Sequence, residues 1–263
     1  LPNIRQPEEE IAIEILKKQG KTVIKLPPEV HFSGQGDALP CGDYLFVGTD
    51  YRTSPEVHGL LQKELGFNVI GVKTVPQFDK NQNPVINPIT GWPDSFFYDL
   101  DLAIAVIKGP SKTPCPHDIH TLDDSAFSRR ETERAVHSYG EESAADEKRA
   151  DAKEANGVNN PVVEQVSRCD CRGLIAWCPE AFMPSSQELI RNIKDLDKIE
   201  VSLEEAMNGF ACNLVSTGES IIMSNNAPEL QKALTNRGLR VYTPNVTELS
   251  KGGGFIRCTS LTL

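Results

Sequence analysis

The chain has 263 residues, of which 39% are hydrophobic and 24% charged, and a formal net charge of −10. That is a globular composition with some extra polar sequence, long enough to bury a substantial core; the acidic balance, without a basic stripe to neutralise phosphates, excludes a nucleic-acid-binding surface. No apolar run reaches membrane-spanning length, and seven cysteines in no regular framework point to reduced thiols in an intracellular compartment, either cytoplasm or mitochondrial matrix.

In chain order, "EEEIAIEILKKQGKTVIKL" (8–26) predicts an amphipathic helix, a stop at Gly20 and a strand. "DYLFVGT" (43–49) reads as a strand. It leads into "SPEVHGLLQKELGFNVIGV" (54–72), a helix with Ser54 as N-cap, Pro55 at its first position and Gly66 as its stop, followed by another strand. "DLAIAVI" (101–107) and "GLIAWCPEAF" (173–182) are strand-like, and "SSQELIRNIKDLDKIEVSL" (185–203) repeats the helix–strand unit. "FACNLVS" (210–216) and "ESIIMSN" (219–225) again read as strands before "APELQKALTNRGLRVYTP" (227–244), a fourth helix–strand unit with Gly238 as its stop. The repeating unit is strand, strand, helix, strand, used about three times after a leading fragment. The chain starts on Leu1, so it reads as processed or truncated, with no leader sequence to interpret.

One stretch breaks the repeat. From about residue 108 to 171 the sequence is punctuated by proline and then densely charged, "SRRETERAVHSYGEESAADEKRADAKEANGVNN", with almost no apolar face. It predicts an insertion between two neighbouring strands of a single domain spanning 1–263, cut first by proteases between about Ser128 and Asn160. Its two ends carry Cys115, His117 and His120, and Cys169 and Cys171. Thiolate and imidazole are ligands that tetrahedral zinc prefers, although the spacing matches no common finger; no other cofactor is expected.

The C-terminal stretch "KGGGFIRCTSLTL" places Cys258 just past Gly252, Gly253 and Gly254. Glycines there allow close backbone approach, and Phe255 and Ile256 onward predict a short strand. A thiol at the end of a rigid element beside such a loop suits a nucleophile, although free cysteines are more commonly small buried hydrophobes.

The series "FSGQGDALPCGDYLFVGTDYRTS", "FFYDLDLAIAV", "RGLIAWCPEAF", "FACNLVSTGESIIMS" and "ELSKGGGFIRCTSLTL" resembles the guanidine-modifying, or pentein, superfamily. That superfamily includes dimethylarginine dimethylaminohydrolase, arginine deiminase and the amidinotransferases. The resemblance runs along nearly the whole chain outside the insertion, and the terminal glycine, arginine and cysteine run is its most specific part. It implies an α/β-propeller of five strand-strand-helix-strand modules, of which about one and a half at the N-terminus are missing here. It also implies a covalent mechanism in which Cys258 attacks a guanidinium carbon, a histidine protonates the leaving nitrogen and carboxylates hold the cation. By position, Asp37 and Asp101 are the implied substrate carboxylates, and Arg52 is the implied recognition group for an α-carboxylate.

Two positions depart from the pattern. Ser33 stands where the family carries glutamate, and Asp99 where it carries the acid/base histidine. A serine supplies no charge, and an aspartate cannot donate a proton near neutrality unless burial raises its pKa by several units. His31 and His58 lie near the matching motifs but not at the matching position. The leading expectation is a catalytically degenerate protein serving as a structural or accessory subunit of a larger assembly, with protein partners or its own N-terminal segment completing the ring. The alternatives are an active hydrolase or amidinotransferase using Cys258 and Asp99, and a guanidino-ligand sensor that retains Arg52 and Asp101 without turnover.

Overall fold

The computed structural model describes residues 7–88, 91, 93–110, 172–246, 248–252 and 254–260. The insertion, its predicted cleavage region and the five candidate zinc ligands Cys115, His117, His120, Cys169 and Cys171 lie outside the described residues.

Among the described residues, three three-stranded sheets carry the fold, and each is built the same way. The first comprises β1 (Ala38–Cys41), β2 (Tyr44–Val47) and β3 (Asn68–Gly71). The second comprises β4 (Ile104–Lys108), β5 (Gly173–Trp177) and β6 (Leu196–Glu200). The third comprises β7 (Val215–Ser216), β8 (Ser220–Ile222) and β9 (Arg240–Tyr242). In every sheet the first two strands pair antiparallel and the second and third pair parallel. Parallel neighbours need a crossover, and each is made by one helix: α2 (Glu56–Leu65), α3 (Pro184–Asn192) and α5 (Pro228–Thr235). The predicted strand-strand-helix-strand unit is therefore present three times. The first strands lie side by side, β1 against β4 and β4 against β7.

The core sits where these first and second strands meet. β5 is buried along its whole length. Trp177, Phe182, Phe46 and Leu39 are among the large side chains that lose essentially all contact with solvent. A smaller cluster forms under α2, which buries Val57 and Leu61, four residues apart on one face, against Leu45 and Val47 of β2. Gly66 at φ +73° ends that helix as expected, and Gly20 and Gly238 adopt the left-handed conformation at φ +74° and +80°.

The structure corrects several sequence expectations. The leading helix, α1 (Pro7–Lys18), forms but buries none of its residues. Residues 21–27 after it pair with no strand among the described residues, because apolar periodicity cannot supply a ladder partner. Ser54 is not the N-cap of α2; Pro55 holds that place, and the Ser54 hydroxyl accepts the His31 N–H at 3.0 Å instead. An additional helix, α4 (Leu203–Gly209), follows β6, capped by the Ser202 hydroxyl and ended by Phe210 at φ +51°. Of "FACNLVS", only Val215 and Ser216 are strand; the residues before them form a turn. Finally, Arg257–Thr259 is a 3-10 turn rather than a strand.

Candidate functional site

Each sheet is entered through a short turn, and these turns carry the polar residues that meet. Gly34–Gly36 is a 3-10 turn ahead of β1, with Ser33 at its start and Asp37 at its end. Leu100–Leu102 is the equivalent turn ahead of β4, with Asp99 preceding it and Asp101 within it. Asn213 lies in the turn ahead of β7, and Cys258 lies in the C-terminal 3-10 turn. Strand ends brought side by side by a repeated fold thus converge residues far apart in sequence.

Asp37 is 3% exposed, and its Oδ1 accepts the Leu100 N–H at 3.0 Å. Gly48 leaves room for it: a β-carbon there would stand 1.9 Å from Oδ1. Burial pushes the Asp37 carboxyl up to about 7. Asp99 accepts the Ser33 hydroxyl at 2.6 Å on one oxygen and Arg52 Nη1 at 3.1 Å on the other. The Arg52 guanidinium also lies 3.7 Å over the Tyr98 ring. Burial raises the Asp99 carboxyl above the usual range, while Arg52 and the Ser33 hydrogen bond oppose the shift.

Asp101 is 1% exposed. Its Oδ2 lies 3.8 Å from Arg257 Nε and 3.9 Å from Cys258 Sγ, while its Oδ1 is buried without a hydrogen-bond partner. Burial, followed by the negative charge of Asp99, pushes Asp101 up to about 7. Cys258 is exposed as a residue, yet desolvation of its sulfur and the adjacent Asp101 push its thiol above the ordinary value. Gly254 lies against it, where a β-carbon would come within 2.7 Å of the Cys258 β-carbon. That contact explains at least one of the three terminal glycines. Cys41 and Cys178 are buried thiols pushed up to about 12 and about 11, and suit packing rather than chemistry.

All six described candidates, Ser33, Asp37, Arg52, Asp99, Asp101 and Cys258, therefore belong to one constellation. His58 does not join it: its Nε2 sits 3.1 Å from the Gly48 carbonyl, with its ring against Gly71. Among the described residues, no group of three or more His, Cys, Asp or Glu could hold a metal ion. Sequence reasoning missed Asn213, Tyr98 and Arg257. The signal for Asn213 lay in the repeat itself, since it lies in the turn ahead of the first strand of the third module, as Asp37 and Asp101 lie at or in the turns ahead of β1 and β4.

No family model matches the chain. A bifunctional arginine dihydrolase/ornithine cyclodeaminase of Nostoc sp., AgrE, is 24% identical over 260 residues, covering 98% of this chain and 25% of its own length. The crystal structure of ArgZ, an arginine dihydrolase from cyanobacteria, superposes with a TM-score of 0.61 at 22% identity, covering 97% of this chain and 28% of ArgZ. A dimethylarginine dimethylaminohydrolase (DDAH) structure from Pseudomonas aeruginosa superposes at 0.50 and 17% identity, covering 95% of this chain and 63% of that one. The fold is that of the pentein superfamily. This pentein-fold chain spans about a quarter of the length of the curated relatives it matches. Its three sheets match the repeat expected from the resemblance.

Proposed function

We propose that this chain is a catalytically degenerate relative of the arginine dihydrolase and amidinotransferase-like penteins, acting as a structural or accessory subunit inside the cell. The observation that carries this reading is the pairing of Asp99. At the position where the superfamily keeps its acid/base histidine, the carboxylate is already bound by the Ser33 hydroxyl and the Arg52 guanidinium. Three supports follow. Arg52, the implied α-carboxylate reader, is engaged by Asp99 and Tyr98, which counts against the sensor reading. The Arg257 guanidinium lies beside Asp101, so the chain's own cation stands near the carboxylate implied for a substrate. The Cys258 thiol is shifted away from the thiolate that a nucleophile requires.

The accessory role draws on the three modules and on α1, whose Ile11 and Ile15 are 62% and 51% exposed. In this reading the three sheets belong to a five-module propeller, and the remaining module surfaces are covered by further sequence or by another polypeptide. Purified chain should release no citrulline, ornithine or amine from arginine, dimethylarginine or arginine with glycine. Turnover abolished by Cys258→Ser would overturn the reading.

One observation favours an active enzyme as the second reading. Burial holds Asp37 and Asp101 near 7 and raises Asp99, so a carboxyl able to donate a proton is present near neutrality. In that case activity should be lost in Asp99→Asn, and should fall as pH rises above about 7, where Asp37 and Asp101 lose their protons.

A further inference from the structure

We infer that Asn213 is the positioning residue of this site, fixing both the placement and the ionisation of Cys258. The inference goes beyond the function proposed above and holds whether or not the chain turns over a substrate. Asn213 is fully buried at 0% exposure. It lies in the turn that replaces the expected "FACNLVS" strand. The left-handed Phe210 that ends α4 starts this turn, and the Asn213 N–H closes it on the Phe210 carbonyl at 3.0 Å. Phe210 also stacks on Phe255 with ring centroids 5.3 Å apart, anchoring the C-terminal segment beside the turn.

The amide then makes three hydrogen bonds to the segment that carries the thiol. Its Oδ1 accepts the backbone N–H of Arg257 at 3.0 Å and of Cys258 at 3.3 Å. Backbone N–H groups can only donate, so the oxygen must face them. The Nδ2 is thereby turned toward the sulfur, 3.2 Å from Cys258 Sγ. One buried side chain thus orients the turn that carries the thiol and donates to the sulfur.

This arrangement has a chemical consequence. An N–H donor stabilises a thiolate more than a thiol, so Asn213 works against the burial and the Asp101 charge that hold the thiol protonated. Asp99 is the other acidic group facing the sulfur, and it acts in the same direction as Asp101. Arg257 is the neighbouring cation, and its Nε faces Asp101. Without the amide donor, Cys258 would ionise at a higher pH while the rest of the cluster stayed in place.

The test is the alkylation rate of Cys258 by iodoacetamide across pH 6–10, read on the Cys258 peptide by mass spectrometry so that the other cysteines do not contribute. Asn213→Asp keeps the acceptor for the two backbone N–H groups but replaces the donor by a negative charge. Alkylation at pH 8 should slow by about tenfold, and the pH profile should move up by about one unit. Asn213→Ser serves as the second variant because a small hydroxyl tolerates loss of the carboxamide. It should slow alkylation less than Asn213→Asp and shift the profile in the same direction. Melting of each variant is recorded alongside. A variant that melts cooperatively but keeps the wild-type Cys258 pH profile would overturn the proposal, because a purely structural clamp lowers the melting temperature without moving the thiol.

Discussion

Asp101 shows how burial converts an ordinary residue into a site feature. In the unfolded chain its carboxyl titrates near 3.8, whereas burial in the folded chain raises it to about 7. Between those values the folded state binds the extra proton, so this group's contribution to stability is complete below about pH 4. It is lost progressively as pH rises to about 7. Asp37 behaves in the same sense and for the same cause. Asp101→Asn should therefore flatten the pH dependence: relative to the wild type, the variant should gain stability between pH 5 and pH 8. Urea unfolding at those two values would measure this, and an equal wild-type-to-variant difference at both would refute the burial argument. The same residue shows what sequence could and could not give. Its position was legible from the motif "FFYDLD", but its protonation near neutrality depends first on burial, with the charges of Asp99 in the same motif and of Asp37 from the preceding module adding to it.

At the scale of elements, two contacts decide how the modules fit. Gly48 follows β2 and gives its missing side-chain space to Asp37. Gly48→Ala should displace that carboxylate from the Leu100 N–H and cost about 1–3 kcal/mol, read by chemical denaturation. A neutral result would show that Asp37 can move without penalty. Glu205 on α4 is nearly buried and reaches the start of α5. Its two oxygens accept the N–H groups of Glu229 at 2.7 Å and Leu230 at 3.1 Å. It caps a helix from outside, using charge where the helix end carries partial positive charge. Glu205→Ala should cost about 1–3 kcal/mol and speed amide exchange at Glu229 and Leu230, whereas unchanged exchange there would show that the cap is dispensable. Helix α4 escaped the sequence reading because its 7 residues are too few for a periodic signal, and its purpose appears only through α5.

At the scale of the molecule, α1 stands apart from the core. Its first turn holds Glu8, Glu9 and Glu10 and its last turn Lys17 and Lys18, which suits the helix dipole, and Glu10 pairs with Lys25 at 2.9 Å on the surface. Ile11 and Ile15, four residues apart, leave an apolar stripe in solvent. The double substitution Ile11→Glu/Ile15→Glu should leave unfolding stability within about 0.5 kcal/mol of wild type. If the stripe is an association surface, as the accessory role requires, sedimentation should shift toward smaller species. A large loss of stability in the isolated chain would instead show that the stripe packs within the molecule.

The order of residues alone was enough to mark the repeat and the local devices that serve it. Alternating apolar runs marked β2, β4, β5 and β8, and glycines at positions 20, 66 and 238 marked helix ends, because a left-handed residue is a local demand that only a few side chains meet. It also marked Ser33, Asp99, Asp101 and Cys258 as positions of interest, since each sits inside a short motif. Which of them touch was set by the packing of the modules. The pairing of Asp99 with Arg52 and Ser33, the cluster of Asp37 with Asp101, and the Asn213 bridge to Cys258 join residues 45 to 66 positions apart. Strand content near residues 21–27 and 210–214 was decided there too, because a strand exists only where a partner offers its backbone groups. The C-terminal turn followed the same rule: its backbone N–H groups found the Asn213 side chain rather than a ladder.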